Sequence, residues 1–415
     1  MSLNKAGGVY FKEEIRKLFP ELLTLAQNKR RMRWFSITIS FLFLTTIFAK
    51  AQISQGGRPL DVPVLKSRGI PEVVMPPVNN QKLQEEAAHQ NKQAGLKPFR
   101  FAHGFDVQLS PAGDGIWFTG PEGVQIWTIK IRSKGAYSLN VIFSDFNLPR
   151  NARLFLFNEA RTHTLGAFSS LNNKASGKLA VSPVEGEALV IQYEIPPGTE
   201  RKEDFILTAV NHDFMGLFTK SERRPMKKEA GACNIDVRCE ESPEWSDVKN
   251  AVCRMIVNGK EVCTGTLMNN TAENQAPWIL SAAHCYDRPE YAEVSVYTFN
   301  YESPYCAPLD GDPSQSVSGA VLKAASDSLD FALTKLSLVP PPEYRPYFAG
   351  WDLSGTLPDS TVSIHHPQGD IKKIAYDDDR PVHSDFPDGY EPNGFLKIRR
   401  WDGGVTEAGS SGGGL

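Results

Sequence analysis

The last seven residues, Gly409-Ser410-Ser411-Gly412-Gly413-Gly414-Leu415, constrain this chain more than any other stretch. Backbone this rich in glycine adopts turns closed to other residues and passes very close to neighbouring groups, so a hydroxyl set in it is presented on a tight turn. Ser411 is the candidate nucleophile. A serine hydroxyl is inert near neutral pH unless a base stands beside it and a third group orients that base. Upstream, Ser281-Ala282-Ala283-His284-Cys285 follows the apolar run Trp278-Ile279-Leu280, and Asp330 stands just before Phe331-Ala332-Leu333. Each piece alone has a plainer reading: a Gly-Ser linker, a structural histidine beside a cysteine, a turn before a strand. Taken together, His284, Asp330 and Ser411 demand a fold that closes the chain on itself over long separations.

The chain has 415 residues, 41% of them apolar, which suits two or three globular domains. A net charge of -3, with Lys and Arg in short runs only, leaves no footprint for nucleic acid.

In residues 1–31, Phe11, Ile15, Leu18, Leu22 and Leu25 recur at helix-like spacing, followed by Lys29-Arg30-Arg31. Then Met32-Arg33, the uncharged residues 34–48 and the small-x-small site Ala49-Lys50-Ala51 read as a secretory signal. Residues 1–51 are therefore assigned to a signal region, with translation expected to start at Met32. The apolar run is shorter than the ~20 residues that span a bilayer, so export is expected, with no membrane association after signal removal. All six cysteines follow this signal, and an exported chain can keep disulfides.

Residues 52–97 are rich in Pro, Gln and Asn and read as a linker, with a short helix near its end from Gln81 to Gln93. From 98 to 219 the pattern is that of strands. Apolar residues alternate at Trp127, Ile129, Ile131 and at Leu189, Ile191, Tyr193, Ile195, between Gly- and Pro-bearing turns. This predicts a sandwich of short antiparallel strands. It holds no cysteine, and His103, His163 and His212 stand singly, as surface or hydrogen-bonded core histidines do.

Residues 220–228, with Arg223, Arg224, Lys227 and Lys228, form a basic unpatterned joint that serves as a linker and as an exposed cleavage site. Beyond it come Cys233-Asn234-Ile235-Asp236-Val237, Cys263-Thr264-Gly265-Thr266-Leu267, Ala283-His284-Cys285, His365-His366-Pro367 and Gly404-Val405-Thr406-Glu407-Ala408-Gly409-Ser410-Ser411-Gly412. By these motifs the chain from Cys233 to Leu415 resembles the bacterial lysyl endopeptidases, secreted serine proteases of the chymotrypsin-like double-barrel fold.

The resemblance implies a mainly β chain: a β-sandwich-like prosegment over 98–219 and a double β-barrel protease domain over 229–415, its second barrel incomplete. It implies cleavage between Lys228 and Glu229. His284, Asp330 and Ser411 would be the catalytic triad, with the N–H groups of Gly409 and Ser411 as the oxyanion hole. Asp327 is the competing acid, but only Asp330 abuts the strand from Phe331, where the resembled motif has it. Ser410 stands where many relatives have Asp and is not a second nucleophile. His365 and His366 lack a completing Cys or acid and read as structural. No metal or cofactor is expected, and the partners are protein or peptide substrates and the chain's own prosegment. By resemblance, Cys263 pairs with Cys285 and Cys239 with Cys306, leaving Cys233 and Cys253 both unpaired or forced together. The chain stops four residues after Ser411, so a truncated second barrel and lost activity are expected of it as written. An inactive exported binding module is the alternative to a protease. Val405 stands six residues before Ser411, where trypsin-like enzymes have their acid, so a preference for lysine comes from the resemblance alone.

Overall fold

A computed structural model describes residues 54–61, 69–92, 98–200, 204–218, 231–239, 243–307, 309–386 and 389–415. The signal region with Met32, and the joint 220–228 with the Lys228-Glu229 bond, lie outside the described residues.

The strand-like stretch forms two packed sheets. One runs Glu72–Val74, Gln125–Arg132, Ala188–Ile195, Arg153–Asn158, Thr164–Phe168, with Ile116–Thr119 also on Gln125–Arg132. The other runs Val184–Glu185, Ser138–Ser144, Ile206–Asp213, Ala102–Leu109, with Leu179–Ala180 on Ser138–Ser144. The alternating residues Trp127, Ile129, Ile131, Leu189, Ile191 and Tyr193 face Leu139, Val141 and Phe143 in one core. Phe205 bridges the sheets, its ring edge-on to Trp127, Tyr193 and Phe143.

Residues 52–97 are more than a linker. Glu72–Val74 adds a parallel strand to Gln125–Arg132, and Asn80–Lys92 is a helix whose Leu83 and Ala87 pack on Phe214. This segment explains why every residue of Ala188–Ile195 is buried, including the side turned away from the core. Leu60 accepts from Gln192 through its carbonyl and donates to Glu194 through its N–H, at 3.0 and 2.7 Å, while Ile70 covers Val190 and Phe157. Of the three histidines, His212 pairs with Ser133 and Asn80, His163 accepts from the Glu185 N–H, and His103 packs edge-on against Phe105.

The region after 231 begins with a barrel. Its strands follow the order Ser316–Ser318, Val296–Phe299, Val252–Val257, Glu261–Met268, Trp278–Ser281, Phe331–Leu336, Ala320–Ser326, all antiparallel. The first and last are halves of one strand bent at Gly319, and this bend closes the sheet. Gly319 has φ +82, and a Cβ there would lie 2.9 Å from the Glu293 carbonyl, so only glycine fits the corner. The second barrel is represented by Ile235–Asp236, Lys373–Asp377 and Thr361–His365, with a separate hairpin of Val382–Ser384 and Phe395–Lys397. The expected class, a mainly β sandwich followed by a closed barrel and a partial one, is what the chain adopts.

The sandwich and barrel share a seam. Phe99–Arg100 pairs with Val262 and Glu261, and Phe99, Phe101 and Leu217 pack with Ile256, Val262, Val294 and Val296. The Asn140 amide donates to the Gly259 carbonyl at 2.8 Å, and Lys178 pairs with Glu293 at 2.7 Å. Among the described residues no helix is long and apolar enough to cross a membrane. Phe101 is fully buried at the seam and stacks edge-on with Phe218. Phe101→Ala should cost about 3–5 kcal/mol, read as a lower urea midpoint of the full chain. An unchanged midpoint would show that the fold does not depend on this seam.

Candidate active site

The barrel brings the base and the acid together by strand pairing. Trp278–Ser281 runs antiparallel to Phe331–Leu336 with Ser281 opposite Ala332, so the residues after the one and before the other emerge at the same end. His284 sits there in the short turn Ala283–Cys285, and Asp330 sits one residue ahead of its strand. The carboxylate grips the histidine twice. Its Oδ2 lies 2.8 Å from His284 Nδ1, and Oδ1 accepts the His284 backbone N–H at 3.0 Å. Asp330 adopts φ +47, a left-handed conformation that aspartate tolerates better than bulkier residues. Asp327 is exposed; its carbonyl accepts the Asp330 N–H and it makes no contact with the imidazole.

Both side chains are 11% exposed, which strengthens the pairing over one in open water. With Nδ1 committed to the acid, Nε2 is the free ring nitrogen. It is buried and has no hydrogen-bond partner among the described residues.

The Gly-rich end folds back against this point. The Ser411 carbonyl accepts the Thr264 N–H at 2.8 Å, next to Cys263, whose disulfide partner Cys285 follows His284. Gly412 has φ +87, and a Cβ there would lie 2.2 Å from both Ser281 Oγ and the Thr264 carbonyl, so the glycine is what lets the turn approach the histidine loop. The Ser411 hydroxyl makes no hydrogen bond with His284 here; such contacts tighten in substrate complexes.

The turn's carbonyls are each held. Gln368 N–H donates to Ala408 O at 2.6 Å, Thr264 Oγ1 to Gly409 O at 2.9 Å, and Gly413 N–H to Ser410 O at 3.0 Å. In a trans peptide the C=O and N–H point oppositely, so fixing the carbonyls of Ala408 and Ser410 also aims the N–H groups of Gly409 and Ser411. Among the described residues neither of these two N–H groups donates a hydrogen bond. A paired set of unoccupied backbone donors can stabilise an oxyanion.

Three contributors escaped the sequence reading. Thr264 ties the His366 N–H to Gly409 through its buried hydroxyl, and Gln368 orients Ala408. Glu407, four residues before Ser411, receives the Gly231 N–H and the Gln368 amide on its carboxylate. The threonine and the glutamate stood inside the quoted motifs, but nothing in their spacing marked them as braces.

Cys239–Cys306 and Cys263–Cys285 are disulfides, while Cys233 is an exposed free thiol and Cys253 a buried one. Of the two outcomes left open for the last pair, the structure has them apart. Burial pushes the Cys253 thiol up to about 12, which keeps it protonated and inert. His284 lies near the sulfurs of Cys263 and Cys285, but these are bonded to each other and offer no thiolate to a cation.

His365 and His366 are fully buried. His366 Nδ1 donates to the Asp370 carbonyl at 2.9 Å, and His365 Nδ1 lies 2.7 Å from Ser410 Oγ. Burial, with Lys373 opposite on the neighbouring strand, lowers the His365 ring to about 4. The unfolded chain, with a histidine near 6.5, takes up a proton that the fold refuses. The stability this neutral ring contributes is complete above about 6.5 and is lost as pH falls toward 4. Relative to His365→Asn, the wild type should therefore lose up to roughly 3 kcal/mol across that window. Urea titrations of both proteins at several pH values check this, and a pH-independent difference would contradict it.

The family described as lysyl endopeptidase, C-terminal domain, matches residues 227–415. A lysyl endopeptidase of Pseudomonas aeruginosa is 26% identical over 324 residues, covering 72% of this chain and 67% of that protein. Among solved structures, the thermostable serine protease AL20 from an extremophilic microorganism overlaps 40% of this chain and 77% of its own, at 15% identity and TM-score 0.29. Protease Anisep from Arthrobacter nicotinovorans overlaps 40% of this chain and 75% of its own, at 16% identity and TM-score 0.28. Structural overlaps this low carry no argument, and the assignment rests on the sequence matches. Residues 227–415 thus match the lysyl endopeptidase C-terminal domain, and the chain is a serine endopeptidase.

Proposed function

We propose that the protein is a secreted endopeptidase that cleaves after lysine through a His284-Asp330-Ser411 triad and is made as a zymogen. The observation that carries the reading is the two-point grip of Asp330 on His284, which leaves the His284 Nε2 without a hydrogen-bond partner among the described residues. Ser411 Oγ attacks the peptide carbonyl as His284 Nε2 takes its proton. Asp330 keeps the imidazole in the tautomer that can do this and stabilises the imidazolium that forms. The carbonyl oxygen, now negative, is met by the N–H groups of Gly409 and Ser411. His284 then returns the proton to the departing amine, the C–N bond breaks, and an acyl ester on Ser411 remains. Water, deprotonated by His284, adds to the ester and frees the acid.

The preference for lysine is supported by the family match and by Val405 standing in place of a trypsin-type acid. Secretion is supported by the signal pattern over residues 32–51. In this reading the sandwich of residues 98–219 is the prosegment, which presents Lys227-Lys228 as a substrate of the enzyme itself.

Ser411→Ala should lower kcat by roughly 10⁴–10⁶-fold and Asp330→Asn by about 10⁴-fold. Ser410→Ala should cost far less. Comparable losses at Ser410 and Ser411 would misplace the nucleophile.

For maturation, changing Lys227 and Lys228 together to Gln should block processing, whereas changing Arg223 and Arg224 to Gln should not. N-terminal sequencing of the product should begin at Glu229. A start after Arg223 or Arg224, or normal processing of a Ser411→Ala precursor purified alone, would assign the cut to another protease.

A further inference from the structure

Ser410 is excluded as nucleophile by its neighbours, and those neighbours give it a different task. Its hydroxyl accepts the Glu407 N–H at 3.1 Å and shares a proton with His365 Nδ1 at 2.7 Å. No acid stands behind His365, whose Nε2 is buried without a partner among the described residues, so this pair lacks the orienting group a serine nucleophile needs. What His365 has is rigidity. It ends the strand Thr361–His365, is fully buried, and is paired across the sheet with Lys373. Among the described residues, every other hydrogen bond to Ser410 comes from within its own turn, from Glu407 and Gly413.

We propose that His365 is a positioning residue for catalysis: through Ser410 Oγ it fixes the peptide between Ser410 and Ser411 to the sheet, and so aims the Ser411 N–H at the reacting carbonyl oxygen. This rests on the reading of Ser411 as nucleophile. The N–H of Ser411 belongs to the same peptide plane as the Ser410 carbonyl. A turn free to rock about Ser410 would swing that donor away from the developing charge, where a misaligned donor stabilises little. The binding of substrate, which engages residues outside this turn, would change far less than the chemical step. Burial keeps the His365 ring neutral, with its nitrogen free to share the Ser410 proton.

The test is steady-state kinetics of the full chain with a lysyl peptide anilide, on His365→Ala, His365→Asn, Ser410→Ala and the double variant His365→Ala/Ser410→Ala, with fluorophosphonate labelling of the wild type. His365→Ala and Ser410→Ala should each lower kcat roughly 10- to 100-fold with KM nearly unchanged, since one oxyanion donor is weakened and not removed. The double variant should be no worse than either single one. His365→Asn, whose amide can accept or donate at the same position, should recover most of the rate. Unchanged kcat in Ser410→Ala, additive losses in the double variant, or a rise in KM at constant kcat would overturn the proposal. If His365→Ala fails to fold, Ser410→Ala and His365→Asn still decide it. A wild type that a fluorophosphonate does not modify at Ser411 would sink the Ser411 reading itself, which separates the two failures.

Discussion

The antiparallel pairing of Trp278–Ser281 with Phe331–Leu336 is the contact on which the site depends. It fixes two chain exits at one end of the barrel, and the short turn after the first and the left-handed residue before the second then bring His284 and Asp330 into a double hydrogen bond. That pairing is held in turn by closure of the barrel at Gly319, since an open sheet would twist its outer strands out of register. The chemistry needs only a few tenths of an ångström of precision at the histidine, and the strand ladder supplies it without a dedicated loop architecture.

The Gly-rich turn obeys a different logic. It has no regular structure, and its geometry is imposed from outside by Thr264 on the first barrel and by Gln368 and His365 on the second. The site therefore lies where the two halves of the protease region meet, and strain in either half reaches Ser411. The sandwich adds a third body. It adds a short strand beside the one that carries Thr264, pairing Phe99–Arg100 with its first residues, and the buried guanidinium of Arg254 packs on the rings of both Phe218 and Tyr301. Arg254 also donates to the Gly369 carbonyl, one residue from Gln368. The sandwich is thus packed against the supports of the Gly-rich turn, and losing it would expose a charge that burial now disfavours.

Much of this was legible in the sequence. Period-two patterns mark Gln125–Arg132 and Ala188–Ile195 because a sandwich strand must alternate, and the triad candidates stand out because serine, histidine and aspartate each abut a glycine turn or an apolar strand. Residues 52–97 were harder: a Pro-rich composition reports broken periodicity, whereas Leu60 and Ile70 pack through single side chains and backbone hydrogen bonds that leave no period. The braces Thr264, Gln368 and Glu407 were missed for a similar reason. Each acts through hydrogen bonds to residues more than thirty positions away, and long-range contacts of that kind have no local pattern. His365 was read as structural, and its burial agrees with that reading; its contact with Ser410 became visible only when the two loops were brought together.

The central claim is that one hydroxyl, on Ser411, is activated by one imidazole, on His284. Covalent labelling of the full chain with a fluorophosphonate, followed by peptide mapping of the modified residue, tests it most directly. The account predicts a single adduct on Ser411, absent from His284→Ala and retained in Ser410→Ala. An adduct on Ser410, or labelling that is indifferent to His284, would contradict it.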